Sequence, residues 1–448
     1  MIQLKSAIRP VLDNSIRFLL RLLLVIIFEN AVTQPMMFVD PYANTSTPLR
    51  ETMRDKHRGV TINVHLLDFQ SSFMLEKFRN YEALTGATIQ EVYSTQATWY
   101  DDVSDDIKNN NPGFIDVYEC YGNWIPQFAD MGGLMDLSDD ILNAVGLDWF
   151  DIMPAVRLGS ATYKQKVFAV PIDGDVIYMV YRKDLVEDVG LPTPISWDDV
   201  KTILEYYENR DINGDGIPDF GNCFSTAENG IGDKIFWAIA SSFLQTRGTS
   251  QGTFFDPITM DPISSTPEFQ EVLHVYRHLV NNSPFMVNQT GVTWEETRTM
   301  FNEGRCVLFY NFPGPIKSII STQKENGMSG VLNLAPLSGK KCRLTDYCPY
   351  ASPGNGVNHA PFLAGGGMVY AINSRSSLEK KQAGLDFALY LSDPGVSFWD
   401  VAHPESFLDP LRLRHTSSLA NNATREAMAF LEFGWESRQL SKFFKLLV

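Results

Sequence analysis

Thr61-Ile-Asn-Val-His-Leu-Leu67 alternates so that Ile62, Val64 and Leu66 share one face, the period of a half-buried strand. Met74, Phe78 and Tyr81 then recur at i, i+4 and i+7, the spacing of a helix face, and Gly86 is placed to stop that helix. The pattern repeats. Thr88 to Val92 is strand-like, and Trp99, Val103 and Ile107 form a second helical stripe that ends at Asn109 to Gly113. Phe114 to Tyr118 reads as a short strand running into Glu119, Cys120 and Tyr121. Strand and helix in alternation predict an α/β domain with a largely parallel sheet.

Outward from this stretch, a second unit begins near Asp175. Val176 to Tyr181 is an apolar run of strand length. Ser196 and Asp199 form a capping box before the helical stripe of Val200, Ile203, Leu204 and Tyr207. Helices are expected at Ile235 to Leu244 and Pro267 to Leu279, and a buried strand at Cys306 to Tyr310. Asn333 to Asn358 reads as loop, and Gly365 to Ile372 as a strand opened by glycines. Ser376 and Glu379 are expected to cap a helix whose apolar face is Ala383, Phe387, Tyr390 and Leu391. Upstream, residues 1–31 carry Arg9, Arg17 and Arg21 around an apolar run at Leu22 to Phe28, with a small residue at Ala31. This is the pattern of a secretory signal or an anchor. Residues 32–59 are polar and non-periodic and read as a linker.

The chain has 448 residues, enough for two or three domains with a large core. Apolar residues at 44% against 20% charged fit a folded protein and exclude a disordered one. The formal net charge of −16 repels phosphate backbones and argues against a nucleic-acid partner. Cys342 and Cys348 are close enough to close a small loop outside the cytosol, whereas Cys120, Cys223 and Cys306 read as buried free thiols. Sequons stand at Asn44, Asn281, Asn288 and Asn422, as in a secreted glycoprotein.

Asp211, Asn213, Asp215 and Asp219 offer oxygens around Gly216, as in a calcium loop. Asn222 stands where a bidentate Glu is expected, so the segment reads equally as a polar turn after a helix. Gly248-Thr-Ser250-Gln-Gly252 matches the hydrolase elbow, but no strand precedes it. Asp173 and Asp175 lie two apart on an extended segment and could serve acid/base chemistry, or simply stand at a strand entrance.

Four ordered segments resemble the family 1 extracellular solute-binding proteins, the maltose-binding-protein-like components of ABC importers. They are Asp116-Val-Tyr-Glu-Cys-Tyr-Gly-Asn-Trp124; Phe168-Ala-Val-Pro171-Ile-Asp173-Gly-Asp175 with Tyr181-Arg-Lys-Asp-Leu185; Phe301-Asn-Glu-Gly304-Arg-Cys-Val-Leu308 leading to Asn311-Phe-Pro313; and Gly365-Gly-Gly367-Met-Val-Tyr-Ala-Ile-Asn373 followed by Leu391-Ser-Asp-Pro394. The resemblance covers about residues 60 to 410. It implies a type II two-lobe α/β fold with three crossings and an interlobe cleft. The boundaries it implies are 60–173 plus 337–366 for the first lobe and 175–332 plus 369–448 for the second. Carried over by position, the ligand residues would be Asp68, Phe69, Glu119, Tyr121, Asn123, Trp124, Asp175, Tyr310, Asn311 and Phe312. Rings cover apolar sugar faces while carboxylates and amides hold hydroxyls, so a sugar or oligosaccharide is expected, with a polyamine or peptide as the alternative. The resemblance further implies a monomer on the extracellular or periplasmic side that serves transport with a membrane permease. The same fold could instead be the ligand-sensing ectodomain of a receptor with a signalling domain. A binding protein is expected rather than an enzyme; the enzyme alternative is a glycosidase using Asp173 and Asp175.

Overall fold

A computed structural model describes residues 47–109, 114–227, 231–246, 251–284, 291–325, 332–336, 338–342, 348, 356–359 and 366–417. The leader, the sequons at Asn44, Asn288 and Asn422, and most of the Gly248–Gly252 stretch lie outside them. Asn281 is exposed at the end of the helix Pro267–Asn281.

Nine strands build the two larger sheets among the described residues: β1 (Thr61–Leu67), β2 (Thr88–Ser94), β3 (Val117–Tyr121), β4 (Ala169–Pro171), β5 (Tyr178–Arg182), β6 (Phe220–Cys223), β7 (Cys306–Asn311), β8 (Leu332–Pro336) and β9 (Met368–Ile372). The first sheet has the order β2-β1-β3-β9-β4 and the second β8-β5-β7-β6. Each sheet carries its own helices and forms the core of one lobe.

In the first lobe Ile62, Val64 and Leu66 are buried as the alternation predicts. His65 and Leu67 are buried too, because both faces of β1 are covered. Met74, Phe78 and Tyr81 on helix Ser71–Thr85 pack inward, and Gly86 ends that helix in the left-handed conformation. Strands β1, β2 and β3 are parallel, but β9 runs antiparallel to both β3 and β4, with Val369 opposite Cys120 and Pro171. The sheet is therefore mixed. The chain visits the second lobe between β4 and β9 and returns in the opposite direction. Strand β8 also forms inside the stretch expected to be loop, pairing with β5.

This return corrects the expected boundaries. β9 belongs to the first sheet, and so does helix Leu378–Leu391 behind it: Tyr81 donates its hydroxyl hydrogen to the Ala383 carbonyl at 2.7 Å, and Phe387 meets the rings of Phe78, Tyr81 and Tyr370. Residues 338–342 and 356–358 lie instead on the second lobe, where Trp197 N–H donates to the Gly339 carbonyl and Asn358 Nδ2 to that of Ser242. Backbone pairing, not sequence order, decides both assignments.

Three smaller expectations change. Residues 47–59 are folded rather than linker: Thr47 caps helix Pro48–Met53, and buried Arg50 pairs with Asp393 at 3.4 Å. Ser196 and Asp199 make the capping box, whereas Ser377, not Ser376, caps helix Leu378–Leu391, because Ser376 donates to Asp116 at 2.6 Å. Cys223 and Cys306 are not free thiols. β6 and β7 lie side by side and join them in a disulfide across 83 residues of sequence, alongside the expected Cys342–Cys348 bond, which leaves Cys120 as the buried free thiol. Among the described residues no helix is long and apolar enough to cross a membrane.

Candidate ligand cleft

The chain passes from β4 to β5 through Ile172–Ile177, and this crossing forms the floor of a cavity. Gly174 packs under the C-terminal segment so closely that a Cβ there would stand 2.0 Å from the Pro410 carbonyl oxygen. The first lobe contributes Phe69, just past the end of β1, Tyr121, the last residue of β3, and Gln96 and Met368. The second contributes Asn311 and Phe312 at the end of β7, with Ile231, Lys234, Trp294 and Pro315. Asp175 comes from the crossing and Phe407 from the C-terminal segment. Phe69, Tyr121 and Asn311 thus sit at carboxyl ends of strands, where open α/β sheets take their ligands. The enclosed space is about 70 Å³. A wider groove of about 860 Å³ runs along the second lobe by Asp256, Thr266 and Cys348, away from those strand ends.

Rings from three parts of the chain meet over the cavity. Phe69 lies 5.3 Å from Phe407 and 6.3 Å from Trp294, and those two are 5.7 Å apart, all edge-on. Such pairs add to area burial and hold the two lobes together. Below them lie buried carboxyls. Asp173 Oδ1 accepts from the backbone N–H of Gly174 and Asp409, and Asp409 Oδ1 from that of Gly314. Asp173, Asp175 and Asp409 bring carboxylate oxygens within 4.8 Å of one another. Burial pushes Asp173 up to about 6, against the opposing pull of its backbone donors, and raises Asp175 and Asp409 as well, each further lifted by Asp173. Lys317 is lowered to about 8 by its own burial, against the raising influence of Asp409 and Asp173.

Five of the ten residues carried over by position line this cavity: Phe69, Tyr121, Asp175, Asn311 and Phe312. Glu119 lies behind it, fully buried, with Oε2 accepting from Leu67 N–H at 3.0 Å; desolvation raises it to about 8. Trp124 packs on Trp99, Tyr100 and Tyr121 and so supports the cavity wall. Asp68 and Asn123 are exposed, and the Asp68 carboxylate is turned to the Phe69 N–H. Tyr310 points into the core of the second lobe, 6.3 Å from Phe224, and does not line the cavity. Its neighbour Asn311 does, because successive strand residues face opposite ways. Trp294 and Phe407 escaped the sequence reading. A signal for the first exists, since Thr293 and Glu296 form a capping box that starts its helix. Phe407 lies in an irregular segment with no period.

The acidic loop is elsewhere, on the surface of the second lobe. Asp211 accepts from the N–H groups of Gly214, Asp215 and Gly216, while Asp219 accepts from those of Ile212 and Asn213 and from Arg305 at 3.1 Å. Asn213 donates to Asp215 at 3.2 Å. These bonds hold the turn.

Taken together, two mixed α/β sheets with rings and buried polar groups facing each other across a crossing define a two-lobed protein with a cavity between its lobes. Comparison with known proteins gives the family. A family model described as bacterial extracellular solute-binding protein matches residues 77–397, and the chain belongs to that family. Its fold is that of the two-lobe periplasmic sugar-binding proteins. An Agrobacterium radiobacter ABC-transporter solute-binding protein in complex with ribitol superposes with a TM-score of 0.62 at 17% identity, over 87% of this chain and 93% of that one. Maltose-bound MalE3 of T. maritima gives 0.60 at 18%, over 87% and 100%. An Agrobacterium vitis solute-binding protein with bound D-mannitol gives 0.59 at 20%, over 85% and 84%. No functionally curated protein sequence matches the chain significantly.

Proposed function

We propose that this solute-binding protein captures a sugar or polyol in the interlobe cleft, outside the cell, and hands it to a membrane permease. The observation that carries this is the cavity itself: rings from both lobes stand over the buried polar groups Asp175 and Asn311, whose Oδ2 and Nδ2 have no partner among the described residues. Such a wall suits a polyhydroxylated ligand, which offers apolar ring faces and hydroxyl donors and acceptors together. The solved structures with ribitol, maltose and D-mannitol support the same class. At about 70 Å³ the closed space is smaller than the roughly 300–1,000 Å³ of ligand pockets, so the lobes part to admit the ligand and close on it.

The same geometry supports binding without turnover. A glycosidase holds its two carboxyl groups on opposite sides of the scissile bond. Asp173 and Asp175 instead cluster with Asp409 on one side, beneath the cavity. A thermal-shift screen over sugars, polyols, polyamines and short peptides tests the function. A sugar or polyol at one hundred times its dissociation constant stabilises by about 2.7 kcal/mol. Shifts with peptides alone, or sustained hydrolysis of a glycoside, would overturn it. Calcium at Asp211–Asp219 is a separate proposal. A melting midpoint that rises with added calcium, and no longer rises in Asp211→Asn, supports it; an unmoved midpoint removes it.

A further inference from the structure

Among the described residues the carboxyls at the cavity floor outnumber the cations that face them. Asp175 is 5% exposed, lines the cavity, and its Oδ2 has no hydrogen-bond partner among the described residues. Asp173 and Asp409 each place an oxygen within 4.8 Å of it, and among the described residues Asp409 Oδ2 is also unpartnered. Behind the cavity, Glu119 adds a fourth buried carboxyl, which desolvation keeps protonated near neutral pH and whose Oε1 has no partner among the described residues. Two ammonium groups could balance these. Lys234 lines the cavity and its charge acts on Asp175, while its ammonium stands 3.2 Å from the exposed carboxylate of Asp233. Lys317 is buried and donates to the carbonyls of Val401 and Leu408 at 3.0 and 2.8 Å, so it supplies a single charge toward Asp173 and Asp409. Burial and mutual repulsion hold part of this set protonated, and Asp175 turns an unpartnered oxygen into the closed space, where a cation would favour its ionised form.

A buried carboxyl without a counter-ion keeps its proton, and a cation seated against it favours the ionised form and pairs with it. The walls suit such a cation, because Phe69, Tyr121, Trp294, Phe312 and Phe407 offer rings whose faces attract an ammonium group. We infer that Asp175 seats an ammonium group of the ligand, which makes the captured solute an amino sugar or amino polyol rather than its neutral parent. The inference rests on the carbohydrate reading of the cleft only for the rest of the ligand; the ammonium seat stands on Asp175 and its surroundings.

Calorimetric titration of the full chain with matched probes separates the two. The set is glucose, glucosamine and N-acetylglucosamine; galactose and galactosamine; sorbitol and 1-amino-1-deoxysorbitol; and spermidine. A charge-assisted hydrogen bond predicts at least one amine binding about tenfold or more tighter than its neutral parent and its acetylated form. Asp175→Asn should erase that preference while leaving a cooperative melt, and Asp175→Glu, which keeps the charge, should retain part of it. Neutral sugars or polyols binding as tightly as their amines would overturn the inference and leave the carbohydrate reading intact. Spermidine binding with no sugar or polyol would do the reverse, supporting the ammonium seat and removing the carbohydrate. Absence of binding by every amine in the set would overturn the inference.

Discussion

Replacing Glu119 by Gln should flatten the pH dependence of stability between pH 6.5 and 8. Glu119 is fully buried, and desolvation, helped by Asp173, lifts it from 4.5 to about 8 against the opposing bond from Leu67 N–H. The folded chain thus keeps a proton that the unfolded chain has lost above pH 4.5. Stability from this group is complete at low pH and falls as pH rises toward 8, by about 1.4 kcal/mol per unit where the difference is one whole proton. Over 6.5 to 8 this comes to about 1–2 kcal/mol, since the slope fades near the folded value. The window avoids opposing groups. His65 and His403 are both lowered to about 4, chiefly by burial, and raise stability with pH only up to about 6.5. Lys317, lowered to about 8, begins to act at the upper edge, also raising stability with pH. Asp175 and Asp409 have the same sign as Glu119, so the difference between wild type and Glu119→Gln isolates the one group. Gln keeps an acceptor for Leu67 N–H and cannot ionise. Urea unfolding followed by tryptophan fluorescence at four pH values measures it. A wild-type slope that is flat, or one that Glu119→Gln leaves unchanged, would refute the reasoning.

Other predictions follow from particular contacts. Gly174→Ala forces a Cβ onto the Pro410 carbonyl and should destabilise by about 1–3 kcal/mol, seen as a lower melting temperature; an unchanged midpoint would mean the crossing is not so tightly packed. Alkylation of the denatured, unreduced protein should label one thiol, Cys120, and label five after reduction; three labels before reduction would restore Cys223 and Cys306 as free thiols. Trp294→Ala removes a ring shared with Phe69 and Phe407 and should weaken the bound solute by about 1–3 kcal/mol in a titration while leaving the second-lobe core intact; equal affinity would take Trp294 out of the site.

What the sequence disclosed was local. The stripes of Met74, Phe78 and Tyr81, or of Val200, Ile203, Leu204 and Tyr207, are written in a period that any packed helix must obey, and all seven side chains are buried. The place of β9 was not legible. Met368–Ile372 reads as a strand, but nothing in its residues says that it slots between β3 and β4. The site divided along the same line. Tyr121 and Asn311 are strand-end residues and could be reached by position, whereas Tyr310 missed by one residue of strand parity. Phe407 and the Cys223–Cys306 bond come together only through contacts distant in sequence. The surplus of carboxyls at the floor was half visible, as Asp173 and Asp175; Asp409 joins them from an irregular segment far along the chain.

Ligand capture between two moving lobes is the claim on which the rest depends. Small-angle scattering of the full chain, alone and saturated with the sugar, polyol or amine that shifts its melting temperature most, tests it directly. A smaller radius of gyration is expected with the solute bound, because contacts to both lobes favour the closed arrangement. An identical radius at saturation would contradict capture by closure of the cleft.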